Sequence, residues 1–220
     1  EAARTADAGY SALLSTGEPG MTETEMAAIA EHGARRAGAE AVVFSLLSSG
    51  PRTATIVGRP STKVVEEGET VLAALAAQYA GYAATVAFPF VAGERPNEQQ
   101  RNLIDALVQS EALALPLLQP GRPQREFVTA VRDFFRAKGL DRYDIYPPLH
   151  GCGLAEAESP YPDERRQDPF LAGMTVNTDI SLFGHPGGAG RIEEGLVITP
   201  DGLEFLSPLV RRLVREWQEG

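Results

Sequence analysis

The sequence predicts an α+β fold in which helices cover one face of a mainly antiparallel sheet. Three observations lead there. Helix-like and strand-like hydrophobic periods come in blocks, two helices then strands, twice over, with one helix at the end. The strand-like runs form turn-linked pairs, Thr70 to Leu75 with Gly81 to Val91, and Leu196 to Thr199 with Leu203 to Leu206 across Asp201-Gly202. Apolar residues make up 43% of a 220-residue chain, enough for a sizeable core. The two similar successions suggest an internal duplication, although no clear sequence repeat accompanies them.

Residues 1 to 16 read as an Ala-rich helix that ends before Pro19-Gly20. Thr22 and Glu25 form a capping box for the next helix, with Met21 and Met26 at the staple positions and Gly38 as the stop. Ala41 to Leu47 is a short buried strand, and Thr53 to Val57 reads as a second β-rich run. An acidic turn, Glu66 to Glu69, precedes the first strand pair. Pro96 then opens a long helix with a stripe of Leu103, Ile104, Leu107 and Val108. Past Pro120-Gly121, another helix carries Phe127, Val131, Phe134 and Phe135. A proline-rich loop region follows Gly139, and Met174 to Leu182 reads as a strand. Ser207-Pro208 caps a last helix bearing Leu209, Val210, Leu213 and Trp217.

Composition excludes several classes. A formal charge of −10, with Lys63 and Lys138 the only lysines, argues against a nucleic-acid partner. No run approaches 18 apolar residues, so no membrane span is expected. Glu1 to Asp7 carry no basic n-region, so no signal peptide is expected. The single Cys fits a reducing compartment, and a cytoplasmic location is the expectation.

Four segments together resemble the creatinase / aminopeptidase P / methionine aminopeptidase superfamily. Glu18-Pro-Gly-Met-Thr-Glu-Thr-Glu25 is similar to its PGMTE helix start, and Val71 to Phe88 tracks its VLxDxGAxYxGYxxDxTRTF strand pair. His150-Gly-Cys-Gly-Leu154 with Glu158 and Pro160 is similar to GHGIGL…HExP. Gly173 to Asp179, then Gly190 to Glu194 and Val197 to Gly202, are similar to GMVFTIEPG…GxRIEDxVLVTxDG. The resemblance implies a pita-bread fold across 1–220 as a single domain: a curved, mainly antiparallel sheet, helices on its outer face, two pseudo-symmetric halves. Full-length prolidase- and creatinase-like members carry an N-terminal domain ahead of this region, so the resemblance suggests a short-form member or an excised catalytic domain.

The resemblance also implies a site. Dinuclear members use two Asp, one His and two Glu as ligands, since two cations sharing a water need carboxylates to neutralise and bridge them. Those positions fall on Ala74, Thr85, His150, Asp179 and Glu193. Two ligands are thus missing and one is shortened. The family's two supporting histidines fall on Val57 and Ala157. A two-metal peptidase mechanism is therefore not expected. Creatinase shares both Asp vacancies and works without metal, although this chain lacks its histidine at Val57 and its guanidinium-binding Glu at Ala87.

The leading expectation is accordingly a metal-independent, creatinase-like enzyme acting on a C–N bond of a small polar substrate. His150 would shuttle the proton and Asp179 with Glu193 would position substrate or water. Tyr82, Thr85, Val57, Arg191 and His185 would line the substrate site, with no metal and no cofactor. Arg191 has a blander role open to it, pairing with the clustered carboxylates. Two other readings stand beside this one: a catalytically inactive pseudo-peptidase that binds a ligand or protein, and a hydrolase or lyase with one metal at His150, Asp179 and Glu193. A small-molecule partner, no nucleic acid, no membrane and a homodimer are expected. Cys152 is expected to be a buried small hydrophobe, His32 a surface residue, and Gly187 to Gly190 a tight turn. Arg52 and Arg59 could clamp a substrate carboxylate or simply lie on the surface.

Overall fold

Local signals set most element boundaries in the computed structural model, which describes residues 1–220. The Thr22 hydroxyl accepts from the Glu25 amide, and the Glu25 carboxylate accepts from the Thr22 amide at 2.7 Å. That box starts helix α2 (Glu23–Arg36), which follows α1 (Ala2–Thr16). Strands β1 (Ala41–Ser49), β2 (Thr70–Tyr79), β3 (Tyr82–Val86) and β4 (Phe90–Val91) come next. Then α3 (Glu98–Ala114) and α4 (Arg125–Ala137) precede β5 (Leu149–Gly151), β6 (Thr175–His185), β7 (Gly188–Thr199) and β8 (Gly202–Phe205). Helix α5 (Pro208–Glu219) closes the chain, with Ser207 Oγ accepting from the Val210 amide. No helix is long and apolar enough to cross a membrane.

The structure corrects the sequence reading at four places. Thr53 to Val57 is not a strand: Gly50, at φ 54°, and Pro51 divert the chain into a short 3-10 helix, Gly50–Ala54. The first strand pair is longer than its apolar core, because β2 runs past Leu75 through Ala76, Ala77 and Gln78 to Tyr79. Alanines form strands poorly by themselves, but pairing with β1 on one side and β3 on the other overrides that preference. The turn is Ala80-Gly81, at φ 50° and 80°, and the run after Gly81 breaks into β3 and β4 around Pro89. Finally β5, three residues in a proline-rich stretch, has too short a pattern to read, and β7 begins at Gly188 rather than beyond the turn.

All strand pairs are antiparallel, in two four-stranded sheets. One has the order β1-β2-β3 with β4 beside β2; the other runs β5-β6-β7-β8. Reciprocal backbone hydrogen bonds between Ala87 and Glu193, at 2.9 and 3.0 Å, join the halves. Helices α1 and α3 pack on the outer face of the joined sheets.

Strand alternation then decides which side chains meet. On β2, Val71, Ala73, Leu75 and Ala77 enter the main core with α1 residues Tyr10 and Leu13. On β6 and β7, Val176, Ile180 and Leu182, with Ile192, Leu196 and Ile198, do the same. The residues between them face the other way. Asn177, Asp179 and Ser181 on β6, and Arg191 and Glu193 on β7, thus share the inner, concave face with Ala74 and Thr85 of the first half. Asp179 and Glu193 are direct register partners. A one-residue slip would bury the ionic set against the helices.

Candidate functional site

A cleft of about 590 Å³ opens on this concave face. Its walls are Thr24, Ala27, Ala28 and Glu31 of α2 and Val43 to Leu46 of β1, with Val57, Arg59 and Pro60 at the lip. Tyr146, Glu156, Asp179 and Arg191 form the floor. The lip is held by a buried anchor. Glu23, fully buried at the start of α2, accepts from Ser49, Ser61 and Arg52, and Arg52 in turn donates to the Arg59 carbonyl at 3.0 Å. Arg52 is therefore a structural tie, whereas Arg59 carries its charge at the lip without an ion pair.

Five ionisable groups, Arg191, Asp179, Glu193, His150 and Glu156, crowd the floor and the space behind it. Arg191, almost fully buried, places Nε 2.9 Å from Asp179 Oδ1 and Nη1 3.6 Å from Glu193 Oε2. Its guanidinium lies 5.0 Å from the Tyr146 ring centroid and 5.8 Å from that of Phe183. Burial pushes the Asp179 carboxyl up, and Arg191 pulls it back. The pairing role open to Arg191 is thus the one it adopts.

His150 projects from β5 opposite Asn177. Its Nδ1 lies 2.9 Å from the Gly151 carbonyl, an arrangement that puts a proton on Nδ1 and leaves Nε2 facing the carboxylates. Nε2 stands 3.8 Å from both Glu156 Oε1 and Glu193 Oε1. Burial alone would lower this imidazole, but the Glu193 carboxylate outweighs it and raises the group to about 9. Asn177 Nδ2 donates to Glu193 Oε1 at 2.7 Å, while Glu193 Oε2 accepts no hydrogen bond from the chain. Glu156 receives the Thr85 hydroxyl at 3.3 Å, and burial followed by the Glu193 charge pushes its carboxyl up.

The structure therefore gathers His150, Asp179, Glu193, Arg191 and Thr85, with Val57 at the lip of the same cleft. It does not bring in the other two substrate-site residues of the sequence reading. Tyr82 is exposed at the far end of the β2–β3 hairpin, opposite Tyr79, because the strand extends away from the site by four more residues than expected. His185 lies in the β6–β7 turn, accepting from the Gly187 amide at 3.0 Å and packing edge-on against Tyr143. That turn lines a separate depression with Gly50, Thr53 and Gln100. Cys152 is buried and its thiol is pushed up to about 12 by burial, so it is no nucleophile at neutral pH. His32 is exposed on α2. Sequence reasoning missed Tyr146 and Glu156, which sit on loops with no periodic pattern; Glu156 adjoins Ala157, where a histidine was missing, and that adjacency was the one available signal.

A dinuclear metal centre does not fit these residues. Ala74 offers only a methyl group, Thr85 spends its hydroxyl on Glu156, and Arg191 already brings a cation to Asp179. One ion does fit the donor set. His150, Glu156 and Glu193 each present a ligand atom, all within 4.8 Å of one another.

The family model described as metallopeptidase family M24 matches residues 1–200. An Xaa-Pro dipeptidase from Pyrococcus furiosus is 28% identical over 215 residues, 97% of this chain and 62% of that protein. Among solved structures, the prolidase from Pyrococcus furiosus superposes with a TM-score of 0.89 at 28% identity, covering 94% of this chain and 61% of the other. The X-Pro aminopeptidase from Thermotoga maritima gives the same score and identity over 94% and 59%. The chain spans about three fifths of the length of these relatives. The expectation of a metal-independent, creatinase-like enzyme is overturned here: the matching family is one of metallopeptidases, and the relatives are named as Xaa-Pro dipeptidases and prolidases.

Proposed function

This chain belongs to metallopeptidase family M24, and we propose that it is a hydrolase of small peptide-like amides that works with one divalent ion rather than two. The observation that carries the proposal lies just behind the cleft floor, where buried His150 and Glu193 converge with Glu156 of the floor while the other carboxylate, Asp179, is already paired with Arg191. By the resemblance of their segments, His150 and Glu193 fall where the family carries a ligand His and a ligand Glu. An ion held there would supply Lewis-acid polarisation of an amide carbonyl.

The remaining work falls to the chain itself. Gly151 fixes the His150 tautomer, and Asn177 orients Glu193, so both side chains are set before substrate arrives. Arg191 keeps the Asp179 charge from repelling an incoming carbonyl or carboxylate. Val43, Phe44 and Leu46 give the cleft an apolar wall that can receive a substrate side chain and exclude water from it. Val57, where relatives are expected to carry a histidine, makes the lip apolar as well.

The test is cleavage of the dipeptide Ala-Pro with Mn²⁺ or Zn²⁺ supplied. Turnover should vanish with chelator, and His150→Ala should lower kcat/KM by roughly 100-fold or more. Turnover that survives chelation, or its absence across a panel of dipeptides with either metal, would contradict the proposal.

A further inference from the structure

The family set leaves one carboxylate position empty that this chain fills from elsewhere. Thr85 stands on β3 where an aspartate is expected, and its hydroxyl donates to Glu156 Oε1 at 3.3 Å. Glu156 comes from the loop after β5, a different element, and its carboxylate enters the same space on the concave face. We propose that Glu156 supplies the carboxylate that position 85 no longer carries, completing with His150 and Glu193 a three-residue site for a single divalent cation.

The spacing supports a shared ion. Ligand atoms about 2.0–2.2 Å from one metal lie roughly 3–4 Å from each other. His150 Nε2 stands 3.8 Å from Glu156 Oε1 and 3.8 Å from Glu193 Oε1, too far for hydrogen bonds and suited to two donors on one ion. With Nδ1 held against the Gly151 carbonyl, the imidazole turns Nε2 toward two carboxylates, where an ion would take the place of a proton. The two carboxylates repel one another unless a proton or a metal cation sits between them. Glu193 is 1% exposed; its Oε2 faces Arg191 Nη1 at 3.6 Å, while its Oε1, oriented by Asn177, is the oxygen turned toward His150 and the ion. An imidazole with two carboxylates suits Mn²⁺, Fe²⁺ or Zn²⁺ rather than Ca²⁺.

Asp179 is left out of this site, which separates it from the ligand set that the sequence suggests. Its Oδ1 faces the Arg191 guanidinium at 2.9 Å, and Asp179 is not among the residues whose ligand atoms converge. Arg191 thus stands where a second cation would otherwise be needed. The site deepens the hydrolase reading, but its readout is metal uptake and not turnover. A chain that takes up the ion and cleaves no dipeptide would sink the hydrolase reading alone.

Isothermal titration of the metal-free protein with Mn²⁺ and with Zn²⁺ tests the assignment. The parent chain should take up one equivalent. Glu156→Gln should weaken uptake at least 10-fold. Its own unfolding temperature without metal should be no lower than the parent's, because a like charge beside Glu193 has been removed; weak uptake then cannot be blamed on misfolding. Returning the carboxylate to the strand, in the double variant T85D/E156A, should restore at least part of the lost affinity. No uptake by the parent, uptake of two equivalents, or uptake by E156Q equal to the parent's would each overturn the assignment. A proton on His150 Nε2, bridging the two carboxylates with no ion, corresponds to the first of these.

Discussion

Replacing Arg191 with methionine is expected to cost about 3–5 kcal/mol of folding stability, because it strands two buried carboxylates without their cation. Asp179 and Glu193 are 2% and 1% exposed, so neither can recover its lost partner from solvent. Methionine keeps the aliphatic contact with Tyr146 and Phe183, which confines the loss to charge. For a domain of this size that loss corresponds to a fall in Tm of roughly 6–20 °C, measurable by thermal or urea unfolding. Asp179→Asn in the Arg191→Met background should recover part of it by removing one stranded charge. A fall of less than about 2 °C in the single variant would show that these carboxylates do not depend on Arg191.

A second buried ion cluster, on the opposite face of β7, is expected to respond as strongly. Arg211 of α5 donates to Glu111 of α3 at 2.7 Å and to Glu194 of β7 at 3.0 Å. Both acids are essentially unexposed, and burial followed by the neighbouring Glu111 pushes the Glu194 carboxyl well up. Arg211→Met should therefore cost about 3–5 kcal/mol and loosen α5 from the sheet. Adding Glu194→Gln should return much of the loss, since the penalty lies in the uncompensated charge and not in the missing contact. If the double variant were no more stable than Arg211→Met alone, the two groups would not be coupled. The two arginines, one on each side of the same strand, show how the alternation Arg191, Glu193 against Glu194 sorts charges into a site and a structural tie.

That alternation is also why so much of the fold could be read from the sequence. The Thr22–Glu25 box and the Ser207-Pro208 start each act over four residues or fewer and form as the local chemistry demands, while the β7–β8 hairpin forms one residue early, with Pro200-Asp201 as its turn and Gly202 already paired with Thr199. Strand reading failed where local chemistry was weak or misleading. Thr53 to Val57 has β-rich composition, yet a positive-φ glycine followed by proline diverts the chain before a strand can start. The alanines of β2 have no strand preference of their own and extend only because two neighbours pair with them.

The site divides in the same way. His150, Asp179, Arg191 and Glu193 were legible because the segments that carry them resemble the family's motifs. Tyr146 and Glu156 were not, since a loop residue reaches a site through the path of the backbone, which no short pattern records. At Ala74 and Thr85, where the resemblance places the family's two aspartates, neither side chain carries a carboxylate. The step from empty ligands to a metal-free enzyme was the error, since the matching family is one of metallopeptidases and the relatives are named as Xaa-Pro dipeptidases and prolidases.

Where the metal sits tests the account most directly. Anomalous diffraction from a crystal soaked in Mn²⁺ is expected to show one peak, bounded by His150 Nε2 and the carboxylates of Glu156 and Glu193, with Arg191 still against Asp179. A pair of peaks, a single peak coordinated by Asp179 in place of Glu156, or no peak at all would contradict it.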